Sequence, residues 1–173
     1  WAAGETSSNG VASDVTYGVY NYLADQDGDL DYVTVTSYSS GFQTFYLTSF
    51  LDSLSISNNV CVNCTDVANI FCIFSSALGC SSTTKRIYTS AQDSLYTESI
   101  DPIGNANSWA ATIWSYHQIG WLDNLVDDAC IRVNQGSPIL PSNMIFTPTY
   151  MNYLLNPDNQ SYSVEGPLST SIF

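Results

Sequence analysis

Residues 63 to 79 place the strongest constraint on the fold. Asn63 is a residue type that caps helix N-termini, and Gly79 can take the left-handed conformation that closes a helix. Between them Val67, Ala68, Phe71, Phe74 and Leu78 recur at helical spacing. Ile70, Ile73 and Ala77 widen that face until it covers most of the cylinder. A helix apolar on most sides cannot lie on a surface. The rest of the chain has to wrap it.

The wrapping elements read as mixed. Val15, Tyr17, Val19 and then Tyr20 and Tyr22 predict a strand from Asp14 to Tyr22, and Tyr32 to Thr36 alternates as a second. Asp27-Gly28 between them signals a hairpin. Ser39 and Ser40 are N-cap candidates for a helix over 41–54, built on Phe42, Phe45, Tyr46, Phe50 and Leu54. Ser55 to Asn59 reads as a loop, and 81–107 as irregular with a short helix around Ser90 to Tyr96. Ala111–Trp121 reads as a strand, Leu122–Leu125 as a turn, and Val126–Val133 as the returning strand. Residues 1–13 are small and polar and form an expected arm before a single domain over 14–173. Pro138, Pro141, Pro148, Pro157 and Pro167 predict an extended wrap over 137–173, with short strands near Met144–Thr147 and Tyr162–Val164. The expected class is α+β, with central helices packed on a twisted antiparallel sheet.

Charge narrows the partners. Only Lys85, Arg86 and Arg132 oppose sixteen acids in 173 residues, leaving a net charge of -13. Phosphate neutralisation needs clustered Lys and Arg, so nucleic acid is excluded as a partner, and an anionic membrane surface with it. No apolar run reaches membrane-spanning length, so no membrane insertion is expected. A surface of Ser, Thr, Asn and Tyr, five cysteines and a start at Trp1 predict a secreted, extracellular protein with an N-terminal segment removed.

The chemistry rests on three residues. Cys64 follows the cap of the apolar helix, and helix N-termini favour the thiolate, which is the attacking form of cysteine. His117, the only histidine, stands in the strand Trp114-Ser115-Tyr116-His117-Gln118-Ile119. Counting outward from the Asp123-Asn124 turn sets residues near 128–130 opposite 117–119, where an acid can orient the imidazole. Asp127 and Asp128 point to opposite faces, and Asp128 is the expected partner. The alternative for Cys64 is a disulfide or an inert buried thiol. With Cys64 free, the even remainder of Cys61, Cys72, Cys80 and Cys130 predicts disulfides of open connectivity. For His117 the alternative is a structural histidine on a half-buried strand.

These segments resemble the transglutaminase-like superfamily, the papain-like branch shared by cross-linking enzymes and cysteine peptidases. Cys64-Thr65-Asp66-x-Ala68, an apolar helix and the closing Ala77-Leu78-Gly79 are similar to its cysteine segment. Tyr116-His117-Gln118-Ile119-Gly120-Trp121 resembles its histidine strand, and Val126-Asp127-Asp128-Ala129-Cys130 stands where its aspartate strand belongs. The likeness covers roughly residues 40–135. It implies a papain/transglutaminase-like fold and a Cys–His–Asp triad in which Cys64 is nucleophile, His117 base and Asp128 orienting acid. The implied reaction is amide hydrolysis or acyl transfer on a protein or peptide substrate, with no cofactor required.

Other features stay open. Gln43 is a candidate oxyanion donor upstream of Cys64. Asp25, Asp27, Asp29 and Asp31 alternate and could surround Ca²⁺, or form a solvated hairpin tip. Asn159-Gln160-Ser161 matches the glycosylation pattern. A second functional reading is an extracellular structural subunit of a fibre, sheath or surface layer, in which the arm and the proline-rich tail are ordered by self-association into a homo-oligomer or filament.

Overall fold

The computed structural model describes residues 4, 7–23, 30–34, 38–56, 60–89, 95–104, 108–134, 137–155 and 162–173, and within them the chain is mixed α+β. Helix α1 (Ser8–Gly18) starts where the Ser7 hydroxyl accepts the Gly10 N–H at 3.1 Å, and runs on as a π-helical turn over Val19–Leu23. It replaces the strand expected from Asp14 to Tyr22 and absorbs Ser8 to Ser13 of the expected arm. Val11, Ala12, Val15, Thr16 and Val19 are buried together while Tyr17 is exposed. That is a helical stripe, and the apparent alternation came from Tyr17 on its outer face.

Among the described residues, strand β1 (Leu30–Tyr32) has no hairpin partner upstream, and most of the expected hairpin tip lies outside them. A short hairpin follows, β2 (Ser39–Ser40) and β3 (Thr44–Phe45), turned at Gly41 with φ +62°. Helix α2 (Leu47–Ile56) therefore begins six residues later than the expected start at 41, because Phe45 is drawn into a strand and packs against Tyr38 and Phe50. Strand β4 (Val60–Val62) then pairs with β1 in parallel.

Helix α3 (Cys64–Ala77) is the central element, buried almost throughout. It ends as expected. The N–H of Cys80 reaches the Ser75 carbonyl and that of Gly79 the Ser76 carbonyl, both at 3.0 Å, with Gly79 at φ +91°.

Among the described residues, the expected irregular stretch after α3 contains three strands, β5 (Thr83–Tyr88), β6 (Leu95–Tyr96) and β7 (Ile100–Pro102), while residues 90–94 of the expected short helix lie outside them. In β5 the buried positions are Thr84 and Ile87, so a polar inward residue hid the pattern. The next expected strand divides at Ser115 into β8 (Ile113–Trp114) and β9 (Tyr116–Leu122). Its partner divides at 128–130 into β10 (Leu125–Asp127) and β11 (Ile131–Asn134), which join different sheets. The tail supplies β12 (Pro138–Ile139), β13 (Met144–Ile145), a π-helical turn over Phe146–Tyr150, helix α4 (Met151–Leu154), β14 (Ser163–Leu168) and β15 (Ser171–Ile172). The turn and α4 interrupt the extended wrap that the prolines suggest.

The main sheet is antiparallel throughout, in the order β13-β10-β9-β5-β14. α3 lies flush on β9, and one glycine makes that possible. A Cβ at Gly120 would sit 2.3 Å from Phe71 Cδ1 and 2.4 Å from the Asp127 carbonyl oxygen. Among the described residues no helix is long and apolar enough to cross a membrane.

Candidate active site

The start of α3 is fixed before any chemistry is considered. Asn63 is extended, its side-chain oxygen accepts the Asp66 N–H at 3.1 Å, and Asp66 Oδ2 accepts the Asn63 N–H at 3.3 Å. This reciprocal cap puts Cys64 at the first helical position. The other Asp66 oxygen accepts the Tyr38 N–H at 3.0 Å and the Ser39 hydroxyl at 2.7 Å. Asp66 is thus committed to the cap and complements the helix dipole. A further line of bonds reaches the same point from the tail. Thr170 donates to Asn69 Oδ1 at 2.7 Å, and Asn69 Nδ2 donates to the Ser39 hydroxyl at 3.1 Å.

His117 and Asp128 meet because of the β9–β10 turn. Asp123 and Asn124 have φ values of 50° and 67°, the doubly left-handed geometry of tight hairpins. The register runs Leu122 to Leu125, Trp121 to Val126 and Gly120 to Asp127. Beyond Asp127 the chain leaves the ladder, and Asp128 reaches back to His117, two residues past Ile119 along β9, with His117 Nε2 2.8 Å from Asp128 Oδ2. Asp127 faces the other way, where Thr16, Ser142 and the Asn143 N–H converge on its Oδ1.

The pair is dry. His117 is 0% exposed and Asp128 1%. Asp128 Oδ2 also accepts the Tyr150 hydroxyl at 2.8 Å, while Oδ1 accepts the Cys130 N–H at 2.9 Å. The carboxylate is held from both oxygens. The Trp114 ring covers the imidazole with centroids 4.6 Å apart.

Burial alone would favour the neutral imidazole, but the Asp128 charge, its hydrogen bond and the adjacent Cys64 thiol push His117 up to about 9. Cys64 therefore stands within interaction range of the ring. His117 Nδ1, the nitrogen not engaged by Asp128, is buried and has no hydrogen-bond partner among the described residues. Burial, followed by Asp128, pushes the Tyr150 hydroxyl and the Cys130 thiol well up, so both stay protonated.

Cys64 meets solvent through a cleft of about 170 Å³ lined with Tyr32, Thr34, Asn63, Trp114, Ser115 and Tyr116, with Ile113 at its edge. The amides of Cys64 and Thr65, which the helix itself cannot satisfy, belong to the same end of α3. The arrangement has a thiol at a cleft floor, a buried imidazole behind it and a carboxylate behind that. It can support nucleophilic attack on a carbonyl with proton transfer through the ring.

Several expectations fall elsewhere. Gln43 is exposed and donates to the Ser169 carbonyl at 3.3 Å, so it is no oxyanion donor at this cleft. None of the five cysteines is disulfide-bonded: Cys61 is exposed, and Cys64, Cys72, Cys80 and Cys130 are buried. The expected disulfides among Cys61, Cys72, Cys80 and Cys130 are absent because the buried three serve as small core residues, and Cys80 donates to the Ser8 carbonyl at 3.6 Å. Asp25, Asp27 and Asp29 lie outside the described residues, as does Asn159. Asp31 lies in β1 opposite Cys61, and no group of three or more metal-ligating side chains occurs among the described residues. Tyr150 and Trp114 carry no sequence signal for the roles they take: one follows Pro148 in the tail, the other reads as a strand aromatic.

No family model matches the chain, and neither the curated proteins nor the solved structures give a match.

Proposed function

We propose that this chain is a transglutaminase-like domain, with the papain-like arrangement that name implies, and that it performs thiol-dependent acyl chemistry on amides. The observation that carries the reading is the buried His117–Asp128 pair at 2.8 Å, set behind a helix-start cysteine that alone of the three lines a cleft. A structural histidine does not need a carboxylate held at both oxygens on one side and a thiol on the other.

In this mechanism the Cys64 proton already resides on His117, which holds it up to about pH 9, and Cys64 Sγ attacks the amide carbonyl as the thiolate of that pair. The carbonyl oxygen becomes an oxyanion near the first-turn amides of α3, where the helix dipole favours negative charge. Collapse expels the amine, which takes the proton from His117, and leaves a thioester on Cys64. Water or a second amine then attacks the thioester, giving its proton to His117. The thiolate leaves, and with the proton on His117 the starting pair is restored. Asp128 holds the ring's orientation and stabilises its charged form. The lysine-poor, hydroxyl-rich composition supports an extracellular setting for the reaction.

Peptide mapping after brief iodoacetamide treatment tests the reading. Cys64 should be alkylated at a rate that His117→Ala lowers by about 10²-fold or more, the scale of a general base. Labelling of exposed Cys61 serves as the internal control and should not change. Equal Cys64 rates in both proteins overturn the assignment.

A further inference from the structure

We infer that the cleft above Cys64 selects an uncharged acyl donor whose side chain is apolar and flat or branched, presented within a chain rather than at a free carboxyl terminus. The inference rests on the acyl-transfer reading and adds a substrate class to it. Cys64 is 4% exposed and His117 and Asp128 less, so a substrate reaches the sulfur only along the cleft walls. None of the residues lining it carries a charge. Tyr32 stacks on Trp114, with centroids 6.1 Å apart and ring planes within 14° of parallel, and Ile113 stands 55% exposed at the mouth. Those groups offer one side chain an apolar bed. Thr34, Asn63 and Ser115 bring hydroxyl and amide groups to the same walls, which suits a neutral peptide group.

The fate of the basic residues sharpens the exclusion of anions. Lys85 Nζ lies 3.5 Å over the Trp121 ring. Arg86 pairs with Glu165 and stacks on Phe42 at 3.9 Å. Arg132 donates to Asn21 Oδ1 at 2.9 Å and covers Tyr20 at 4.6 Å. These are all the Lys and Arg residues in the chain, and none lines the cleft. A substrate carboxylate would lose its hydration there and find no Lys or Arg on the cleft walls, against a molecule of net charge -13, and the one cationic ring, His117, is fully buried and already paired with Asp128. Asp66, two residues along α3 from Cys64, and Asp128, bonded to His117, are buried and bonded, so a substrate cation gains no direct partner from either.

Three thiol reagents test this: iodoacetate, iodoacetamide and N-benzyl iodoacetamide. The Cys64 rate for each is read by peptide mapping and divided by its rate with a cysteine-containing peptide. The normalised rate should rise from iodoacetate to iodoacetamide to the benzyl reagent. Each step should be about tenfold, the discrimination that one mismatched group in an apolar pocket gives. Ile113→Lys, at an exposed position that leaves the core intact, should raise the iodoacetate rate several-fold and lower the benzyl rate. Equal normalised rates for the three reagents overturn this inference while a His117-dependent Cys64 rate keeps the acyl-transfer reading. Failure of Cys64 to react with any of them overturns both.

Discussion

Tyr150 and His117 converge on one atom: the phenol oxygen and the imidazole Nε2 each lie 2.8 Å from Asp128 Oδ2. Tyr150 is thereby a positioning residue for the imidazole, acting through the carboxylate they share. It is fully buried, so its hydroxyl has no water to turn to.

Tyr150→Phe keeps the ring and removes only that donor. A hydrogen bond to a charged acceptor is worth about 1.5–3 kcal/mol, and denaturant unfolding at pH 7 should show a loss of this order. The Cys64 alkylation rate should fall several-fold even where the variant is fully folded. An unchanged rate would show that the orientation of Asp128 does not depend on Tyr150.

His117 gives stability a pH dependence on the alkaline side. Its folded-state value lies above the ordinary 6.5, at about 9. The folded state therefore binds this proton more tightly than the unfolded chain. Its contribution is complete below about 6.5 and is lost as pH rises through about 9. Unfolding free energies measured between pH 6 and 10 should fall across that window in the native protein, and the fall should be smaller in His117→Gln.

Asp127 acts in the acidic range with the same sign. Burial raises it from 3.8 to about 6, against the hydrogen bonds from Asn143, Thr16 and Ser142 that lower it. The protonated form is favoured by folding, so its contribution is complete below about 3.8 and is lost as pH rises through about 6. Asp127→Asn keeps an oxygen for those three donors and cannot titrate. Between pH 4 and 6 its unfolding free energy should lack the downward slope seen in the native chain. Identical slopes would place the titration elsewhere.

Gly120→Ala tests the seating of α3 on β9. The new methyl would meet Phe71 and the Asp127 carbonyl well inside contact distance, and a backbone oxygen cannot swing aside. The cost should be about 3 kcal/mol or more, seen as a lowered denaturation midpoint. A variant as stable as the native chain would mean that helix and strand are not in flush contact.

The parts legible in the sequence are those governed by local rules. Asn63, Asp66 and Gly79 fix the ends of α3 through short-range bonds, and Asp123-Asn124 fixes a two-residue turn that folds β10 back along β9 and carries Asp128 to the neighbourhood of His117. What was misread depends on distant contacts. Val15, Tyr17 and Val19 alternate on paper, but α1 packs its stripe on the core and leaves Tyr17 outside. Phe45 has helical spacing with Phe42 and Tyr46, yet the tail strand β15 pairs with β3 and holds it extended. Tyr150 could not be assigned from spacing, since its partner Asp128 lies 22 residues away across a proline-bearing turn. The disulfide expectation treated an even count as pairing, where burial of Cys72, Cys80 and Cys130 as core side chains accounts for them.

The bonds from Thr170 through Asn69 and Ser39 to Asp66 tie the tail to the first turn of α3, and the Thr170–Asn69 link alone spans 101 positions. The frame around the sulfur is thus finished by residues made long after the sulfur itself. A chain emerging in order of synthesis carries its thiol long before it carries the Thr170 bond that helps hold the thiol's helix in place.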